Sequence, residues 1–516
     1  MAVALFVRLQ HFRQMHPYFC HQDEIRQGEG ILKMFRNHTL APELFINPHL
    51  HLYFNGAFFA GFFAKHNLRE AVAENSMAPI WDAAQRLAPE SAETIFLQRG
   101  ISLLIGLVTV FGVWLAARFF FSEGFALLAG LIFALSPLPV SLSVLAKPDS
   151  FQECAVVFNL YFALRVIRHG KTRDYILTAL CAAACFTTKN NLAPLILLIL
   201  PVLIRAKNEK QTLAQVLADK RPWLTFAAAG AATFLFSPWY FLNYKEAFLQ
   251  MGYLRAVTTF NSYNRFDPHY WWLGRYPYSF VVLLPFLAGI TVYLFSLAGF
   301  IERTFRAGID HWSLLIANLV LFLGFAVLGF HGSTPLNWFM PAMVFFALFS
   351  VWPVALLWSK GWKKVSLGLA TFLAVTAGAQ AQNYYAVNFQ AFDQAGPRLV
   401  KEIPAGSKIL GFSVYLPGPA LHQFNYLRAW PQNLDRAAVE SFDPDYILVY
   451  RSDFAGFEKY YRDTLPINGR LQELLSGQWG YRVKDTLQVS YPGDFYFQWL
   501  DPEFVIKLIV LEKVRG

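Results

Sequence analysis

From Ile101 onward the chain runs through one apolar stretch after another, each close to the length that crosses a lipid bilayer. The stretches lie at 101–117, 125–143, 152–164, 174–187, 193–204, 223–241, 277–300, 312–330, 339–358 and 365–382, and the shorter ones extend into their flanks. In hydrocarbon every backbone N–H and C=O must find its partner inside the chain, so such stretches can only become packed helices. The composition agrees. Charged residues make up 15% of the 516 and hydrophobic residues 55%, whereas a soluble domain carries about a quarter charged. A cytosolic enzyme, a disordered chain and a collagen-like repeat are excluded. The expected fold class is mainly α, a polytopic transmembrane helical bundle.

The distribution of the net charge of +10 says more than its sign. Loops beginning near Arg118, Arg165, Arg205, Arg303 and Lys360 hold fifteen Lys and Arg, and the alternate loops hold six. Basic residues collect on the cytoplasmic side, so the first set lies inside. The opening MAVALFVRLQ looks like the tail of a first span whose beginning is missing; it has neither the length nor the cleavage site of a signal peptide. Counting it gives about eleven spans, with the amino terminus cytoplasmic. The loop at about 10–100 and the tail then lie outside. Within that loop Leu50–Ala64 is apolar but short of a full span, which predicts a re-entrant or interfacial segment. An amphipathic stretch at 66–98 is expected on the membrane surface or over a cleft.

Two domains follow: a membrane domain over 1–382 and an extracytoplasmic domain over 383–516. In the latter, apolar runs at Lys408–Val414, Tyr446–Tyr450 and Phe504–Leu511 alternate with helix-compatible stretches at Leu434–Ser441 and Arg470–Leu475, separated by turn signals. This pattern predicts a small α/β module. The four cysteines offer no disulfide framework, and Cys181 and Cys185 read as packed thiols. No soluble basic module interleaved with aromatics appears, so nucleic acid is not an expected partner. A P-loop, a Rossmann glycine motif and a nucleophile elbow are also absent from the sequence.

Four stretches could carry chemistry, all on the outer side by the parity of the spans. In His21-Gln22-Asp23-Glu24, adjacent carboxylates sit at a membrane boundary, where one could take a proton from an acceptor hydroxyl. The plainer reading is an acidic start to an interfacial helix. In Lys147-Pro148-Asp149 the ammonium could bind a phosphate while the carboxylate orients a sugar, or Asp149 could simply cap a helix. Lys189 could meet a lipid-linked phosphate or snorkel toward headgroups. The loop at 259–278 offers Arg265, Asp267, His269, Trp271, Trp272 and Arg275, either as sugar-stacking and phosphate contacts or as an interfacial aromatic belt. His49 and His51 join His21 in the first loop, but their spacing matches no metal-ligand pattern. No cofactor is expected, and a divalent metal has no support in the sequence.

Taken in order, these features resemble the GT-C membrane glycosyltransferases, in particular the protein mannosyltransferase-like group of family 39 type. The elements are His21–Glu24, a short apolar helix, the Arg99-Gly100 start of a span, Ser136–Phe151, a basic inner loop and Thr188-Lys189. Their order is also similar to that of the bacterial lipid A aminoarabinose transferases. The likeness is good over roughly 20–200 and fades beyond. It implies a polyprenyl-phosphate-sugar donor, a lipid, glycan or protein acceptor, and contact with membrane lipids. It further implies Asp23 as general base, with Glu24 and Asp149 supporting the acceptor or orienting the site. His21 and His49 would then bind substrate, and Lys147, Lys189, Arg265 and Arg275 would stabilise the leaving phosphate. A bacterial inner membrane is expected, because large lumenal insertions are absent from the sequence.

A transporter or flippase is the alternative from another class, since it too would have many spans with polar groups. The acidic residues crowd at outer span ends rather than at the midplane, and no inverted repeat is visible, which favours the enzyme. A non-catalytic assembly protein would be indifferent to neutralising Asp23.

Overall fold

The computed structural model describes residues 1–15, 22–44, 48–73, 92–189, 193–250, 284–306, 310–328, 339–412, 424–429, 434–450, 467–489 and 506–514. The protein is mainly helical with one small sheet. It forms two compact units; among the described residues, the second takes those after Tyr384 together with Arg13–Met15 and Gln22, and the first takes the rest.

The chain opens with α1 (Ala2–Met15), α2 (Gln22–Arg36) and α3 (Leu50–Ala73), which lie in the first unit apart from Arg13–Met15 and Gln22. Most of the described residues in the expected outer loop are therefore helical. α3 is longer than the short apolar segment expected there: its 24 residues span about 36 Å at 1.5 Å per residue. The remainder of the amphipathic stretch, 74–91, lies outside the described residues.

The helices α4 (Ala92–Ala117), α5 (Glu123–Leu135), α6 (Pro137–Leu142), α7 (Asp149–His169) and α8 (Thr172–Thr188) follow. The expected span at 125–143 is broken. Ser136 is extended, at φ −68° and ψ 136°, because the residue before a proline is pushed out of the α region. Pro137 then begins α6, where its missing N–H costs nothing. The same device splits 223–241 into α10 (Lys220–Phe236) and α11 (Pro238–Leu242), after α9 (Ile196–Asn208). In the expected span at 277–300, Gly289 at φ +88° separates α12 (Leu284–Ala288) from α13 (Ile290–Arg306).

α7 and α8 form a helical hairpin closed at Gly170, which is left-handed at φ +59°. A Cβ there would also fall on the Arg205 guanidinium, 2.0 Å from its carbon. After α14 (His311–Leu328) comes α15 (Met340–Ser359), buried without interruption from Met340 to Val351. A helix apolar on all sides belongs in the middle of a bundle. α16 (Lys363–Glu402) continues twenty residues past the expected end of the last span and runs through Gly396-Pro397. Among the described residues, four helices are long and apolar enough to cross a membrane: Glu93–Ala117, Asp149–His169, Met340–Ser359 and Lys363–Gln382.

The second unit holds a five-stranded sheet ordered β2-β1-β3-β5-β4. Its strands are β1 (Lys408–Phe412), β2 (Asn425–Ala429), β3 (Tyr446–Tyr450), β4 (Tyr481–Val489) and β5 (Ile506–Lys513). β1 runs parallel to β2 and β3, and β5 runs antiparallel to β3 and β4. Leu410, Phe412, Ile447, Val449, Ile509 and Leu511 recur with the two-residue period of one sheet face. They pack with Val439 of α17 (Arg436–Phe442) and Leu474 of α18 (Ile467–Leu475).

Candidate functional site

The site is built around Glu24, in the first turn of α2 beside Asp23. Its carboxylate is 1% exposed, turned away from solvent. Arg99 Nε and Nη2 donate to its two oxygens, both at 2.7 Å. The Arg99 side chain, from the first third of α4, is wholly buried. Charges removed from water survive only when paired and well hydrogen-bonded, and the bidentate fork does both. Glu24 also accepts the Ala146 N–H at 2.9 Å. One carboxylate thus ties α2 and α4 to the link between α6 and α7.

That link carries Lys147-Pro148-Asp149, and Leu138–Asn159 is buried along most of its length. A buried turn has to place each of its backbone groups. Ala146 N–H goes to Glu24, Lys147 N–H to Leu145 O at 2.9 Å, and Leu142 O accepts from Ser150 Oγ at 3.2 Å. Asp149 is the first residue of α7 rather than its cap, since Pro148 stands at the N-cap. Its buried carboxylate pairs with Lys189 Nζ at 2.5 Å. Lys189 ends α8, and its carbonyl accepts from Gln152 Nε2 at 3.3 Å. An acid at a helix start also benefits from the helix dipole.

The Lys147 side chain lines a narrow polar crevice with Gln27, His51, Asn55, Gln98, Ser102 and Ala146. Two bonds order its rim. His51 Nε2 donates to Gln27 Oε1 at 2.5 Å, and Asn55 Nδ2 donates to His51 O at 2.7 Å. His49, two residues earlier, reaches another element: its N–H donates to Ser237 Oγ at 2.9 Å, and its ring meets Tyr240 edge-on. The break at Ser237-Pro238 therefore anchors the start of α3. Deeper in the unit, Arg8 of α1 is fully buried, donates to Ala134 O at 3.0 Å, and is attracted to Glu153, one turn beyond Asp149.

Of the residues singled out in the sequence, Glu24, Lys147, Asp149, Lys189 and His49 all lie in this unit and are buried. Glu24 is bonded to the turn that carries Lys147 and Asp149, and Asp149 is paired with Lys189. His49 is bonded instead to the Ser237 region. Asp23 lies in the first turn of α2; His21, Arg265 and Arg275 lie outside the described residues. Among the described residues, no group of three His, Cys, Asp or Glu could hold a metal ion. Sequence reading missed Arg99 as a partner, and it missed Gln27, Asn55 and Gln98 altogether. The available signal was a lone arginine inside what proves to be one apolar helix, a costly placement that asks for a counter-charge.

Over residues 91–241 the chain matches the family model described as dolichyl-phosphate-mannose-protein mannosyltransferase. The matched segment includes Arg99, Lys147, Asp149 and Lys189 and ends before Arg265. It bears out the resemblance to the GT-C membrane glycosyltransferases. No curated protein matches the chain in sequence. Among solved structures, the chain is similar to ArnT from Cupriavidus metallidurans bound to undecaprenyl phosphate, at 14% identity and a TM-score of 0.48, covering 99% of this chain and 96% of that one. The apo state of the same protein gives 13% and 0.49 over the same shares. The apo oligosaccharyltransferase of Archaeoglobus fulgidus gives 10% and 0.49, covering 87% of this chain and 69% of that one.

Proposed function

We propose that this chain is an integral-membrane glycosyltransferase that moves a sugar from a polyprenyl-phosphate donor to an acceptor hydroxyl, with inversion, at the outer face of the membrane. One observation carries the reading. The Glu24 carboxylate, gripped by Arg99 and bonded to the Ala146 N–H, joins the helix start that holds Asp23 to the turn that holds Lys147 and Asp149. A base and a cationic phosphate site are the two halves such a reaction needs, and these two elements would supply them side by side.

In this reading Asp23 takes the proton of the acceptor hydroxyl. The acceptor oxygen bonds to the anomeric carbon from the face opposite the leaving group. The bond from that carbon to the phosphate oxygen breaks, and polyprenyl phosphate departs with the electron pair. Lys147, Lys189, Arg265 and Arg275 offset the charge that grows on it. Glu24 positions the base and the turn, Asp149 orients Lys189, and His21 and His49 contact substrate. The basic bias of one set of loops supports about eleven spans, a cytoplasmic amino terminus and a periplasmic carboxy-terminal domain in a bacterial inner membrane. The acceptor is a lipid, glycan or protein hydroxyl.

The test is turnover in proteoliposomes with a panel of labelled polyprenyl-phosphate sugars and extracted membrane acceptors. Wild type should transfer label and release polyprenyl phosphate. Asp23→Asn should remain folded and lose transfer by about 10²- to 10⁴-fold, the range of a positioned general base. Full transfer by Asp23→Asn would remove Asp23 from the mechanism.

A further inference from the structure

Arg8 is a wholly buried charge that the reaction above does not use. Its Nη1 donates to Ala134 O at 3.0 Å and to Ala4 O at 3.4 Å. Ala134 lies two residues before the extended Ser136, so the first bond reaches the break between α5 and α6. Arg8 is also attracted to Glu153, itself buried and one turn beyond Asp149. Gly106 of α4 stands on a further side. A Cβ built there would lie 3.3 Å from Arg8 Nε and 2.6 Å from Ser143 Cβ. Ser143 caps α6 and opens the link that carries Lys147 and Asp149. Arg8 Nε and Nη2 and Glu153 Oε1 have no hydrogen-bond partner among the described residues. Buried polar groups in that state cost stability, and apolar groups of the same shape would not. Charges so placed ask for a role beyond stability.

We propose that Arg8, seated beside Gly106 and Ser143, is a positioning residue that sets where the link presents Lys147 and Asp149. The proposal rests on the transferase reading above. The seat works by shape and by charge. With no side chain at Gly106, Ser143 closes onto the α4 backbone and the guanidinium lies beside them both. Glu153 draws the start of α7 to the same guanidinium. A displaced link would move Asp149, and with it the Lys189 ammonium that Asp149 holds, away from the leaving phosphate. A misplacement of about 1 Å costs about 10²-fold in rate. The charge these groups offset grows only as the bond breaks, so the loss belongs to kcat.

The experiment measures transfer in proteoliposomes at varied donor concentration, with kcat taken per molecule of folded protein and the melting temperature alongside. Arg8→Met with Glu153→Leu removes both charges at similar volume, so the interior keeps no lone ion. This double variant should stay folded and lose about 10²-fold in kcat while the donor KM holds. Gly106→Ala, which crowds Ser143 from α4, should give the same signature, and Gly230→Ala, facing open space, should match wild type. Arg8→Lys keeps a cation against Glu153 and should lie between. Wild-type kcat in the folded double variant or in Gly106→Ala would overturn the positioning role, and so would a change confined to KM. If the double variant does not fold, Gly106→Ala decides alone. No transfer by wild type from any donor would overturn the transferase reading and this one with it.

Discussion

Glu24 and Arg99 join the three elements of the candidate site, and the worth of their pair lies in position more than in stability. Removing one partner strands the other charge in the interior. Glu24→Ala is expected to cost about 3–5 kcal/mol, read as a fall in the melting temperature of the purified protein. Replacing both by apolar residues of similar volume, Glu24→Leu with Arg99→Met, should restore most of that loss. It should not restore transfer, because the Ala146 N–H loses its acceptor and the turn carrying Lys147 and Asp149 loses its tether. A double variant that is both stable and fully active would show that the tether is dispensable. Arg99→Lys is a milder probe. A single ammonium cannot make the two parallel bonds of the guanidinium fork, so turnover should drop even where stability is largely kept.

At the scale of elements, the sequence revealed what is periodic or punctuated and hid what depends on distant partners. His21–Glu24 and Lys147–Asp149 stood out because charge at a span boundary is conspicuous. Their connection through Glu24 and Ala146, 122 residues apart, leaves no local trace. Arg99 read as the edge of an apolar run because the first turns of α4 are polar enough to pass for loop. The breaks at Pro137 and Pro238 were written in the sequence, yet hydropathy alone runs straight through them. In the carboxy-terminal unit the three most apolar strands were visible. β4 was not: its register slips between Val483 and Asp485, so its alternation changes phase midway. β2 is short and carries Asn425 and Arg428 at the edge of the sheet.

That sheet carries its own test. Tyr481 is buried and donates to Pro444 O at 2.7 Å, and burial pushes its phenol up to about 12. A folded-state value above the unfolded one means its contribution is complete below pH of about 10 and is lost as pH rises from there. In full-length protein, the alkaline unfolding midpoint of wild type should fall below that of Tyr481→Phe once both are compared at matched neutral stability. Coincident midpoints would show that Tyr481 does not set the alkaline limit. The acid side is weaker. Lys513 beside Asp443 and Arg482 beside Glu512 hold those carboxyls below their usual values. Their support is present above the ordinary carboxylate range and fades as pH falls through it, but both pairs are solvent-screened and contribute little.

For the whole molecule, the decisive question is which side of the membrane each unit faces, because the proposed chemistry works only where lipid-linked sugars and acceptors meet. In the proposed orientation the basic ends of α7 to α10 face inside, and these ends are tied together. Arg221 Nη1 donates to Gly170 O at 2.7 Å and Arg205 Nη1 to Val166 O at 3.2 Å, so arginines cap the hairpin carbonyls. The turn at Lys147 and the end of α8 at Lys189 are at the opposite ends of α7 and α8, which the proposed orientation puts on the outer side. Single cysteines introduced in a background lacking the four native ones test this directly. Lys210→Cys, in the exposed loop after α9, should react with an impermeant thiol reagent only after cells are permeabilised. Ser476→Cys, exposed just past α18, should react in intact cells whose outer membrane has been opened. The reverse pattern would put the candidate site on the cytoplasmic face, where its acceptor would have to be sought among cytoplasmic hydroxyls. Labelling of both sites from the same side would mean an even number of crossings between them, and one of the runs broken by Pro238 or Gly289 would then be re-entrant.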